Sequence, residues 1–194
     1  MNIKETIKKN LRLLLEKKGD THSYGCAMLN LRVPKTEWDK LQSMVEEDDV
    51  YTEEDDRSYG REDEPHITLL YGLHDDIPDE EIKEILYSEP TPKIKLTGVS
   101  LFENDKYDVL KFDFSGKILY KLNEKLSKLP NENEFPKYIP HCTIAYLKSG
   151  TGKKVVKIIE GDIESISKSI LIDSYLYSKA NGDEVKFELK DDYH

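Results

Sequence analysis

Two histidines carry the chemistry this chain can do. His66 and Thr68 recur as His141 and Thr143, each pair inside the frame Pro-His-x-Thr-x-x-Tyr, at Pro65–Tyr71 and Pro140–Tyr146. The copies lie 75 positions apart. Imidazole titrates near neutral pH, so one ring can be neutral while the other is protonated. The neutral ring takes a proton from an attacking hydroxyl, and the protonated ring gives one to the leaving oxygen. The two threonine hydroxyls, with nearby backbone amides, can donate to the oxygens of a phosphate. Core packing repeats hydrophobic character far more often than polar identity, so the repeated His and Thr point to a site.

Strands must position these groups. Side chains two apart in a strand share a face. His66 and Thr68 therefore point together, as do His141 and Thr143. Ile67, Leu69 and Tyr71, with Cys142, Ile144 and Tyr146, are expected on the core side. The segment Tyr24–Val33 alternates, with Leu29, Leu31 and Val33 on one face and Tyr24, Cys26, Met28, Asn30 and Arg32 on the other. Thr36 and Asp39 suggest a capping box opening a helix with Trp38 and Leu41 inward. Helices are also predicted from Pro78 to Tyr87 and from Gly116 to Lys128. Strands are predicted at Ile94–Phe102, Val109–Phe114, Ile170–Tyr177 and Val185–Leu189, the last two as a hairpin around Asn181-Gly182. The segment Lys153–Ile159 is ambiguous. Interleaved one-sided strands and short helices give an α+β fold, with two antiparallel sheets backed by helices. The repeat makes two lobes about a pseudo-twofold, each too small to stand alone, so residues 21–194 are expected to form one bilobal unit around a central cleft. Residues 1–20 hold a helical appendage (Ile3, Ile7, Leu11, Leu14, Leu15), which covers a sheet or meets a partner chain, a homo-oligomer being compatible with it.

Of 194 residues, 37% are hydrophobic and 35% charged, with a net charge of −10. That excess argues against sequence-blind binding of long nucleic acid and leaves a small anionic ligand open. Cys26 and Cys142 read as free thiols of a reducing compartment. No stretch reaches the length of a membrane span and no signal pattern opens the chain, so the expected location is cytoplasmic. No zinc-like ligand spacing occurs, His74 reads as a surface histidine, and no metal or other cofactor is expected. The acidic stretch Glu46–Glu64 reads as a long loop, a solvated one or a lid whose Tyr59, Arg57 and Arg61 fold over an anion.

His66-Ile67-Thr68 and His141-Cys142-Thr143 resemble the two signature motifs of the 2H phosphoesterases, and the likeness spans roughly Tyr24 to Leu189. The resemblance implies a bilobal α+β fold with a central cleft, metal-independent action on phosphodiesters or terminal cyclic phosphates, and catalytic roles for His66, Thr68, His141 and Thr143. The stretches Tyr59–Leu73 and Gly25–Leu29 are similar to the phage anti-CBASS nucleases. That likeness implies hydrolysis of the 3′,5′-linked cyclic di- and trinucleotides that bacterial immunity uses as alarm signals, in the cytoplasm of an infected host.

A cyclic nucleotide also needs its bases held, and aromatic stacking contributes about 1–3 kcal/mol per base. Tyr24, on the non-core face of its strand, is the first candidate. Tyr175, expected to share a face with Asp173 and Tyr177, is the second, with Tyr59 and Tyr138 behind it. Asp173 is a candidate acceptor for a base edge or ribose. An RNA-processing phosphoesterase and a non-catalytic nucleotide sponge are the alternatives, and the motifs leave open which histidine is acid and which base.

Overall fold

The computed structural model describes residues 24–53 and 59–189. The expected helical appendage and Arg57 lie outside the described residues. Among the described residues, seven strands and five α-helices follow in the order β1 (Gly25–Arg32), α1 (Lys35–Ser43), β2 (His66–Leu73), α2 (Asp79–Leu86), β3 (Lys95–Glu103), β4 (Tyr107–Ser115), α3 (Lys117–Leu126), β5 (His141–Lys148), α4 (Gly152–Glu160), α5 (Ile163–Ser169), β6 (Leu171–Ser178) and β7 (Glu184–Glu188). A four-stranded sheet runs β2-β1-β6-β7 and a three-stranded sheet runs β3-β4-β5, all pairs antiparallel. The fold is mixed α+β, as the alternation predicts.

The topology is a duplicated unit with exchanged third strands. β1-α1-β2-α2 and β4-α3-β5-α4 have the same order of elements, and β1 and β4 each sit between a motif strand and a third strand. The third strand comes from the other half: β3 follows β2 in sequence but pairs β4, and β6 follows β5 but pairs β1. Helices cross over too. α3, which links β4 to β5, packs on β2 of the first sheet. α1, which links β1 to β2, sends the Gln42 amide to the Ile144 carbonyl of β5 at 2.8 Å.

The alternation of β1 is as expected, with Ala27, Leu29 and Leu31 buried and Cys26, Met28 and Asn30 half-buried on the opposite face. The capping box does not form. α1 already includes Thr36, the Pro34 carbonyl accepts the first amides, and Asp39 pairs with Lys35. Lys153–Ile159 resolves as helix because Val155 and Ile159 bury one stripe. The acidic stretch is tied down where it is described: a short 3₁₀ turn spans Glu47–Asp49, Val50 bridges Leu147, and the Tyr51 amide donates to the Tyr146 carbonyl at 2.9 Å.

Both motif strands carry a β-bulge at the same place. Across β1, Ala27 pairs Leu70 and Met28 pairs Thr68, which leaves Leu69 as the extra residue. Across β4, Leu110 pairs Ala145 and Lys111 pairs Thr143, which leaves Ile144 extra. The displaced carbonyls need donors, since an unpaired buried carbonyl is costly. Asn123 of α3 donates to the Leu69 carbonyl at 2.7 Å, and Gln42 of α1 serves Ile144 in the same way. Each half thus braces the bulge of the other. Asn123→Leu removes that donor and is expected to lower stability by about 1–3 kcal/mol, the cost of leaving a buried acceptor unmade, measured by denaturant unfolding.

Candidate active site

The two motif strands are the neighbouring edge strands of the two sheets, and β2 touches β5. Reciprocal lead-in segments fasten them. The chain entering β2 pairs with β5, where the Tyr146 amide donates to Gly60 at 2.7 Å and the Glu62 amide to Ile144 at 3.0 Å. The chain entering β5 pairs with the end of β2, where the Glu132 amide donates to Gly72 at 2.9 Å and Asn131 bridges Leu73. Gly72 sits at φ +99° and a Cβ there would lie 2.9 Å from the Asn133 nitrogen, so only glycine lets this segment approach. The prolines of the repeat fit the same scheme. Proline lacks an N–H and suits the start of a strand, while the Pro65 carbonyl accepts from Leu31 at 2.8 Å and the Pro140 carbonyl from Phe114 at 3.0 Å.

Within this frame the two histidines are held alike. His66 Nδ1 lies 2.8 Å from the Glu64 carbonyl and His141 Nδ1 lies 2.7 Å from the Ile139 carbonyl. A carbonyl can only accept, so each Nδ1 carries the proton and each Nε2 is left to exchange one. His66 and Thr68, and His141 and Thr143, are half-buried residues of alternating rows, with Ile67, Leu69, Cys142 and Ile144 buried behind them. The charge of His66 is felt at His141. Neither cysteine offers a competing nucleophile: burial pushes the Cys26 thiol up to about 12, against a hydrogen bond from Thr68 that lowers it, and burial raises Cys142 as well.

The halves differ electrostatically in the strand beside each motif. Met28 and Asn30 of β1 stand opposite Thr68 and His66. Lys111 and Asp113 of β4 stand opposite Thr143 and His141. Lys111 is only 3% exposed; its ammonium pairs with Asp113, donates to the Ser100 hydroxyl at 2.7 Å and lies 4.1 Å from the Phe102 ring centre. Phe102 also meets His141 edge-on, with ring centres 4.9 Å apart. The His141 pKa is lowered, chiefly by burial, with the Lys111 and His66 charges adding to it; the Ile139 carbonyl and Asp113 oppose.

The other expected site residues fall in different places. Tyr24 lies beside the motif, edge-on to Tyr71 with centres 6.4 Å apart and stacked on His74 at 6.2 Å. Tyr175 does not share the face of the His-Thr rows. It pairs with Leu29, is 2% exposed and packs against Tyr87 in the core, because the β6 face shared with Met28 and Asn30 is that of Leu176 and Ser174. Tyr177 is buried with it. Asp173 is taken up by Lys186 of β7 at 3.1 Å and the Ser174 hydroxyl at 3.1 Å, and Lys186 holds its carboxyl below the usual range. Tyr59 joins Tyr51, Tyr107 and Tyr146 in a cluster with ring centres 5.2–5.4 Å apart, and Arg61 is spent on the Gln42 and Val45 carbonyls and Glu47. Tyr138 donates to the Thr68 carbonyl at 3.0 Å, a lobe-to-lobe contact.

Sequence alternation misplaces Tyr71 and Tyr146. The bulges advance each strand by one residue, so both rings leave the core side and join the His-Thr row; Tyr71 is 38% exposed. The signal was the pair of consecutive apolar residues, Leu69-Leu70 and Ile144-Ala145, that breaks the alternation at the same offset in both copies. Lys111 and Asp113 were likewise visible as the polar positions of an alternating strand.

A profile of the 2′-5′ RNA ligase superfamily matches residues 31–167, and the chain belongs to that superfamily, a 2H phosphoesterase family. Among solved structures it is similar to Kluyveromyces marxianus Usb1, with a TM-score of 0.57 and 11% identity over 87% of this chain and 99% of that one. The structure of the same protein with uridine monophosphate matches with a TM-score of 0.56, at the same identity and coverage. At that identity the likeness is one of fold. No curated protein matches the chain.

Proposed function

We propose that this protein is a phosphodiesterase that opens 3′,5′-linked cyclic di- and trinucleotides without a metal, and thereby silences the alarm nucleotides of bacterial CBASS defence. The observation that carries the reading is the paired His-Thr rows on the two neighbouring edge strands, each imidazole fixed through Nδ1 with Nε2 left to act. The lowered pKa of His141 suits a general base, since it keeps the ring neutral at neutral pH. His141 Nε2 takes the proton of a ribose 2′-hydroxyl, whose oxygen attacks the adjacent phosphorus. The bond to the 5′-oxygen breaks as that oxygen takes a proton from His66 Nε2. The product is linear and ends in a 2′,3′-cyclic phosphate. Thr68 and Thr143 donate to the non-bridging oxygens, where charge grows. Solvent exchange restores both protons.

The choice of cyclic nucleotides rests on the likeness of Tyr59–Leu73 and Gly25–Leu29 to the anti-CBASS nucleases and on the net charge of −10, which disfavours long RNA. A second reading, an RNA phosphoesterase acting on 2′,5′ linkages or 2′,3′-cyclic ends, is favoured by the superfamily description and by the uridine monophosphate of the fold neighbour. Incubation with cyclic di- and trinucleotides, 2′,5′-oligomers and linear RNA, followed by product separation, distinguishes them. Linear product from the cyclic panel is expected; selective cleavage of RNA supports the second reading. Return of every substrate intact, with cyclic nucleotide bound, identifies a sponge. Because the proton transfers need only the two imidazoles, EDTA is expected to leave the rate within about twofold. Strong inhibition by chelator would overturn the mechanism.

A further inference from the structure

We propose that Tyr71 is the floor on which one nucleobase of the substrate stacks, and that the equivalent position of the second lobe is closed to a base. The inference deepens the phosphodiesterase reading and rests on it. Tyr71 reaches this position through the bulge at Leu69, which places it in one row with His66 and Thr68. Its partner on β1 is Cys26, and that of Thr68 is Met28, so the ring stands two residues further along the ladder, roughly 7 Å from the threonine. That is one nucleotide's reach from a phosphate held at Thr68.

Two features open this side. Tyr24 meets Tyr71 at a right angle with ring centres 6.4 Å apart, a looser contact than the 5.2 and 5.4 Å contacts around Tyr146, and His74 stacks on Tyr24 in turn. Tyr71 keeps 38% of its surface exposed, whereas Tyr146 is half-buried.

The repeat supplies its own comparison. Tyr146 occupies the same offset after the same bulge. There, Tyr59 packs edge-on at 5.2 Å and Tyr107 at 5.4 Å, and Tyr51 completes the cluster against both. Lys106 sits over the Tyr51 and Tyr59 rings and pairs with Glu53. The protein's own rings take the place a base would occupy. A substrate with two bases is therefore held asymmetrically, one base on the first lobe and the other outside the cleft.

Calorimetric titration with uridine monophosphate, adenosine monophosphate and ribose 5-phosphate tests this without requiring turnover. Tyr71→Ala is expected to weaken both nucleotides by roughly five- to a hundredfold and to leave ribose 5-phosphate unchanged, as loss of one stacked base demands. Tyr71→Phe keeps the ring face and is expected to bind like the wild type, which separates stacking from folding. Unchanged nucleotide affinity in Tyr71→Ala, or an equal loss for ribose 5-phosphate, overturns the assignment while leaving the catalytic reading intact. Conversely, the stacking assignment stands if Tyr71→Ala weakens nucleotide binding in a protein that cleaves nothing, and only the phosphodiesterase reading falls. Wild-type protein that binds none of the three overturns the stacking assignment, and the product assay alone then decides the phosphodiesterase reading.

Discussion

Replacing His66 or His141 with alanine is expected to lower turnover by roughly 10²–10⁴-fold each, the usual contribution of a positioned acid or base. Binding of the substrate should change little, because the threonines and the stacking surface stay in place. The double variant is expected to be little worse than the poorer single one, since an acid without its base completes no cycle. Both rings are half-buried at strand starts, so alanine is tolerated there and melting curves should stay close to wild type. Single-turnover rates with the cyclic panel, beside calorimetric affinities, measure the two quantities separately. Near-wild-type rates in both variants would exclude these histidines from the chemistry.

Lys111→Met is the second large effect. It removes one partner of an ion pair whose lysine is 3% exposed and leaves Asp113 beside His141 without its cation. Breaking a buried pair costs about 3–5 kcal/mol. The Asp113 side chain keeps 28% of its surface, so water softens the penalty and about 3 kcal/mol is expected. The first lobe shows how the position is built without charge, with Met28 and Asn30 at the corresponding places. The transplant Lys111→Met with Asp113→Asn is therefore expected to recover most of the loss in urea unfolding.

The same variants report on His141. Its pKa is depressed in the folded protein from the ordinary 6.5, so the unfolded chain binds the proton more readily. Stability contributed at neutral pH falls as pH drops through 6.5 toward the folded value, and then levels. The acidic limb of kcat/KM is expected below 6.5 for the same reason, with His141 as the base. Lys111→Met takes away a lowering charge and leaves a raising one, so the limb moves to higher pH. An unmoved limb would mean that Lys111 does not tune the base.

Much of this site was legible in the sequence because it is written twice. The His-Thr rows follow from alternation alone, and α+β layering follows from one-sided strands between short helices. What alternation could not supply was phase. Leu69 and Ile144 each add one residue to a strand, and the side chains just beyond them change face. Tyr71 and Tyr146 went to the wrong side for that reason. Tyr175 shows a different failure: in Ser174-Tyr175-Leu176-Tyr177-Ser178 either face can read as the outward one, and only pairing with Leu29 decides it. The sequence held no sign that β3 and β6 change places, since that depends on contacts far apart along the chain.

That exchange has a consequence for how the protein comes apart. A cut at the Asn104-Asp105 turn yields one piece with β1, β2 and an orphaned β3, and another with β4, β5 and the two strands the first piece lacks. Neither piece owns a whole sheet, so loss of order cannot begin by shedding one motif and sparing its twin. Melting should proceed as a single cooperative step, and the severed pieces should regain shape only in each other's company.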